Sequence, residues 1–160
     1  YQKYVSKLEV KWALIFVLAQ LLWMVFEKMM GWHDKHIEVQ EIYTNLFAVV
    51  AIAVYLFALL EKRNEWTDSP FGWKEGFFTG MSITIIVTIL APFTQYVVNT
   101  AITPDYFDNI INYSVESLGK DRAEMEAMFN LKNYIMMAVI GAFVMGTITS
   151  AIIAIFTRKK

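Results

Sequence analysis

The stretch Leu46-Phe-Ala-Val-Val-Ala-Ile-Ala-Val-Tyr-Leu-Phe-Ala-Leu-Leu60 carries no charged side chain and no polar stripe on any helical face. A helix at the surface of a soluble domain keeps such a stripe toward water. The run lies inside a longer gap in charge, from Glu41 to Glu61. Three similar gaps lie between Lys11 and Glu27, between Glu75 and Asp105, and between Lys132 and Arg158. An α-helix rises about 1.5 Å per residue, so about 20 apolar residues cross a hydrocarbon core of about 30 Å. The last three gaps are long enough outright. The first suffices when Lys11 and Lys28 extend their stems outward and keep their ammonium groups wet. A membrane barrel needs many short alternating strands, which this pattern lacks. The expectation is an all-α integral membrane bundle of four transmembrane helices in a single domain, 1–160, with helices over 10–30, 42–60, 76–100 and 132–157.

The whole chain agrees with this reading. Its 160 residues are 57% hydrophobic and 18% charged, against about 45–50% and about 25% in soluble domains. Such a chain buries more apolar surface than chain entropy opposes, which excludes disorder. A formal net charge of -1 leaves no polybasic footprint for nucleic acid. The absence of cysteine removes disulfides, thiolate catalysis and Cys-based zinc sites.

Orientation follows from Lys and Arg near the span ends. Lys3, Lys7, Lys11, Lys62, Arg63, Lys74, Arg158, Lys159 and Lys160 fall on one side, against Lys28, Lys35, Lys120, Arg122 and Lys132 on the other. The bias predicts both termini in the cytoplasm of a bacterial inner-membrane protein. Trp12, Trp66 and Trp73 then mark the inner interface, and Trp32, Tyr43, Tyr96 and Tyr134 the outer one. No small-x-small cleavage site follows the first apolar run, so that helix is expected to be retained. Tyr1 is not an initiator, so further residues are expected to precede it.

Lipid tails are as apolar as leucine, so helices in a bilayer associate through close packing. The third span shows Gly72, Gly76, Gly80, Thr84 and Thr88 at every fourth position. The fourth shows Ala138, Ala142, Gly146, Ser150 and Ala154. The two spans run antiparallel, so the simplest packing sets stripe on stripe. Pro92 removes a hydrogen bond to the Thr88 carbonyl and predicts a kink, with a hinge as the bolder reading; Thr84, Thr88 and Thr94 can supply local replacements. Between these spans, Thr103-Pro104-Asp105 reads as a cap, a first-turn proline and a favourable acid. Phe107, Ile110, Ile111 and Leu118 share a face, Gly119 suits a helix end, and Asp121 to Glu124 caps a second helix bearing Met125, Met128 and Phe129. A periplasmic amphipathic helical hairpin over 104–130 is expected, lying on lipid, over the bundle mouth or against a partner.

The richest polar cluster runs from Glu27 to Glu41 and holds both histidines, His33 and His36. On a helix their spacing could offer two imidazoles to zinc with a carboxylate as third ligand. The pair lacks the fuller His-Glu-x-x-His pattern, and a solvated loop is the simpler reading. No ionisable residue lies deep in a span; Glu27 comes closest, and Gln20 and Gln95 are the polar exceptions. No phosphate-binding loop or nucleophile elbow is present, so no catalytic residue and no cofactor is assigned.

The segments Gly72-Trp-Lys-Glu-Gly-Phe-Phe-Thr-Gly80, Thr103-Pro-Asp-Tyr-Phe107, Phe129-Asn-Leu-Lys-Asn-Tyr134 and the tail from Gly141 to Lys160 resemble the domain of unknown function 4199 family. The resemblance implies a four-helix bacterial inner-membrane protein and carries over no catalytic residue. The functional expectation is a non-enzymatic accessory or scaffold subunit, with lipid and other membrane subunits or a second copy of the chain as partners. A small oligomeric carrier or channel for a neutral solute, lined by Gln20 or Gln95, is the alternative.

Overall fold

The computed structural model describes residues 5–67 and 70–159; Tyr1, Lys3 and Lys160, which entered the reading of the ends and their charge, lie outside them. The first helix, α1, spans Lys7–Met29. It begins three residues earlier than expected because Ser6 and Glu9 form a capping box. The Ser6 hydroxyl accepts from Leu8 N–H, and Glu9 accepts from Ser6 N–H at 2.7 Å. A 3₁₀ turn over Ile37–Val39, α2 (Gln40–Thr44) and α3 (Phe47–Glu65) follow. The expected 42–60 helix is therefore interrupted at Asn45 and Leu46. There Asn45 Nδ2 donates to the Glu41 carbonyl at 2.8 Å, a side-chain bond that competes with helix continuation.

The next helix, α4, covers Trp73–Val97 and runs without a break through Pro92 into a π turn, Val98–Ile102. Two short helices, α5 (Tyr106–Glu116) and α6 (Arg122–Met128), precede α7 (Leu131–Thr157). The cap of α5 differs from the Thr103 reading. Thr103 N–H closes the π turn on the Val98 carbonyl at 2.8 Å, so the helix starts at Tyr106 with Asp105 before it. Gly119 takes a φ of 66°, which turns the chain between α5 and α6. Met125 is buried, whereas Leu118 and Met128 are exposed and leave the expected apolar face incomplete.

Among the described residues, four helical stretches are long and apolar enough to cross a membrane: Lys7–Met29, Ile37–Glu65, Trp73–Ile102 and Leu131–Thr157. By length and composition the chain is a multi-pass membrane protein. The start of α1, the end of α3, the start of α4 and the end of α7 meet at one end of the bundle. Arg63 donates there to the Thr157 carbonyl, and Lys159 N–H to that of Phe71. Ala13, Tyr55, Ala58, Leu59, Ile83, Val87, Ile153 and Ala154 form the core and draw on all four long helices. Long apolar side chains such as Leu18, Leu22, Ile89, Met137 and Phe156 face outward, as a bundle solvated by lipid requires.

The α4–α7 seam is the closest approach. A Cβ placed on Gly76 would stand 3.1 Å from that of Ala154. One on Gly80 would stand 2.6 Å from that of Ser150, and one on Gly146 would stand 2.5 Å from the Thr84 methyl. Only glycine fits at the last two. Polar bonds reinforce the seam: Trp73 Nε1 donates to the Ala151 carbonyl at 2.9 Å. Tyr55 brings α3 in, its hydroxyl 2.8 Å from Thr84 Oγ1, while Thr84 donates to Gly80 and Ser150 to Gly146.

Candidate functional site

The site grows from the way α1 ends. Gly31 adopts a φ of 78°, a left-handed conformation that costs glycine little. This lets Gly31 N–H reach the Lys28 carbonyl at 3.0 Å and Trp32 N–H reach that of Glu27 at 3.1 Å. That pair of bonds is a Schellman motif, and its customary apolar contact is Trp32 set edge-on to Phe26. Trp32 also stacks on Tyr43, with ring centroids 4.6 Å apart. The chain thereby folds back over α1 and lowers His33 onto Glu27, Nε2 to Oε2, at 3.1 Å. Glu27 is 0% and His33 4% exposed.

The segment from α5 closes over this pair. Asn109 Nδ2 donates to the His33 carbonyl at 2.9 Å, and the Tyr106 ring meets the imidazole edge-on. The Tyr106 hydroxyl lies 3.3 Å from Gln40 Oε1 and 3.3 Å from the Tyr134 hydroxyl, joining α2, α5 and α7. Burial raises the Tyr106 phenol far above its ordinary range; Tyr134 and then the Glu27 and Glu41 charges push the same way. A protonated phenol is held here as a hydrogen-bond donor. Glu27 Oε1 and His33 Nδ1 have no hydrogen-bond partner.

A second buried carboxylate stands at the other end of α1. Glu9 is 0% exposed, and its Oε1 lies 2.6 Å from Nζ of Lys62, itself 6% exposed. The contact is an ion pair without hydrogen-bond alignment, while Glu9 Oε2 accepts from both the backbone and the hydroxyl of Ser6. Alongside it Lys11 pairs with Glu61, which also accepts from Trp12 Nε1 at 2.8 Å. Eighteen residues separate Glu9 from Glu27, five turns of about 3.6 residues each, so both point from the same face about 27 Å apart.

The structure separates the two histidines. His36 is exposed, with Nδ1 3.7 Å from Glu38 Oε1, while His33 faces Glu27. Among the described residues no three His, Asp or Glu side chains are grouped closely enough to enclose a metal ion by themselves. Of the small-residue stripes, Gly76, Gly80, Thr84, Gly146, Ser150 and Ala154 meet one another. Gly72 precedes α4 and donates its N–H to Glu75. Ala142 packs on the core, Ala138 is half-buried, and the Thr88 hydroxyl is buried without a partner. Around Pro92, Thr84 and Thr94 bond to the Gly80 and Leu90 carbonyls rather than to that of Thr88. Gln95 donates to Asn99 in the π turn, and Gln20 is half-buried on α1.

Sequence reasoning missed Glu9, Lys62, Tyr106 and Asn109 as interior polar groups. Ser6-x-x-Glu9 was the available signal for the first, because a capping box draws its carboxylate onto the helix end. No curated protein and no solved structure matches the chain. The family model described as protein of unknown function (DUF4199) matches residues 11–159, nearly the whole length. This chain, with its interlocked α4–α7 seam and its buried Glu27–His33 pair, belongs to that family.

Proposed function

We propose that the protein is a non-enzymatic accessory or scaffold subunit of a larger assembly in the bacterial inner membrane, with both termini in the cytoplasm and α5–α6 in the periplasm. The observation that carries this reading is the α5–α6 unit. It is held from below by Asn109 and Tyr106, and the segment from Glu116 to Glu124 above it is exposed throughout. A fixed polar platform outside the spanning helices is a surface that a partner subunit can dock on without paying for loop ordering. Extraction in several mild detergents followed by native mass spectrometry tests it. A defined complex that dissociates when the exposed face of α6 is altered is the expected result; a lone monomer in every detergent contradicts it.

One observation favours a second reading, a small oligomeric carrier for a neutral solute. The third span contains both Pro92 and a π turn, and such turns are over-represented at functional sites. Flux through reconstituted vesicles that falls in Gln20→Ala and Gln95→Ala supports it; flux indifferent to both removes its basis.

A further inference from the structure

We propose that the first turns of α1 bind an anionic phospholipid, its phosphate at Lys7 and Lys11 and an acyl chain along Val10 and Leu14. An open groove of about 890 Å³ lies there, lined by Val5, Ser6, Lys7, Val10, Lys11 and Leu14. Ligand sites commonly occupy about 300–1,000 Å³. Steps of three, four and seven residues from Lys7 set Val10, Lys11 and Leu14 on one face of the helix. The two lysines are one turn apart, where like charges repel. Glu61 answers Lys11, whose ammonium uses one donor on it and keeps two. Lys7 is exposed and makes no ion pair among the described residues. Ser6 commits its hydroxyl to Glu9 inside the capping box. The donors left for a guest are therefore the lysine ammonium groups.

Beyond the lysines the same face is apolar. Val10, Leu14, Leu18 and Leu22 are all exposed, and they run about 18 Å along the helix axis. One leaflet of a bilayer offers about half of a 30 Å hydrocarbon core, so the strip is as long as an acyl chain that stands in it. The occupant that fits carries negative charge at one end and hydrocarbon below. A soluble anion meets the lysines but leaves the strip uncovered. The neighbouring charge favours the same guest. Arg63, Lys74, Arg158 and Lys159 stand at this end of the bundle without ion pairs among the described residues, where only Glu65 and Glu75 are left to offset them. Basic side chains at a membrane surface draw anionic lipid toward them. The site goes beyond both functional readings and holds whether the protein is a subunit or a carrier.

The test uses the purified, delipidated protein in a neutral detergent, titrated with dioleoyl phosphatidylglycerol or dioleoyl phosphatidylcholine. Lipid adducts are read by native mass spectrometry. The first phosphatidylglycerol is expected to bind at least about fivefold tighter than phosphatidylcholine, and Lys7→Gln to weaken it about fivefold, the weight of one basic side chain at an anionic surface. Lys74→Gln and Lys159→Gln should leave that affinity unchanged. Lys7 holds no other described group in place, so its replacement tests the lipid and not the fold. Equal affinity for the two lipids overturns the proposal. Equal losses in Lys7→Gln and in the two controls overturn it as well, because they describe a diffuse basic surface. Glycerol 3-phosphate, which has the phosphate without the tails, should not displace the lipid at equal concentration. Displacement would assign the lysines to a soluble anion and contradict the site.

Discussion

The two ends of α1 present the same side chain under the same burial with different outcomes. At one end Glu9 uses both oxygens, one on Ser6 and one against Lys62. At the other, Glu27 and His33 spend one atom each on one another and leave one each unpartnered. A buried carboxylate with a cation against it and a second oxygen hydrogen-bonded acts as a staple between α1 and α3. A buried pair with unpartnered polar atoms costs stability. The comparison teaches that burial of charge does not by itself mark a site; incomplete satisfaction does.

Breaking the complete end should have the largest effect. Lys62→Met strands the Glu9 carboxylate and is expected to cost about 3–5 kcal/mol, read from denaturant unfolding in mixed micelles, while Glu9→Leu with Lys62→Met recovers much of that loss. His33→Phe at the incomplete end should cost less, about 1–3 kcal/mol; equal costs at the two ends would erase the distinction. The α4–α7 seam supplies a reference without charge. Gly80→Val forces a side chain against Ser150 and is expected to cost about 1–3 kcal/mol.

The smallest effect sharpens the Glu27–His33 end. Because the folded protein raises the Tyr106 pKa, this phenol contributes stability below its ordinary value of about 10. That contribution is lost as pH rises above it toward the folded-state value. Tyrosinate absorbance of the folded protein should therefore show late-ionising phenols, one fewer in Tyr106→Phe. A variant with an unchanged titration would place Tyr106 in water and detach α5 from the site.

Much of the architecture was legible because it depends on local composition. The four charge gaps coincide with the four long helices to within a few residues at most ends, and the residues of the two small-side-chain stripes that meet do so where backbones approach most closely. The interruption at Asn45 was hidden, since a single side-chain bond to Glu41 decides it and apolar periodicity passes through unchanged. Glu9 was set outside the first span by treating charge as a boundary, although its capping box and its five-turn spacing from Glu27 were both written in the chain. The Glu27–His33 contact depends on a left-handed Gly31, and the Tyr106 and Asn109 contacts join segments more than sixty residues apart. Spacing in the sequence carries no trace of such closures. His36, equal to His33 in any reading of the sequence, faces the surface because it lies beyond the turn.

Four helices long and apolar enough to cross a membrane would return the chain to the side on which it started. These 160 residues include no cysteine, so single reporters can be introduced at Lys7, Lys35, Glu124 and Lys159 and labelled with a membrane-impermeant maleimide in intact cells. Lys35→Cys and Glu124→Cys are expected to label from outside, and Lys7→Cys and Lys159→Cys only after the membrane is opened. Labelling of Lys7→Cys and Lys159→Cys from opposite sides would contradict this expectation.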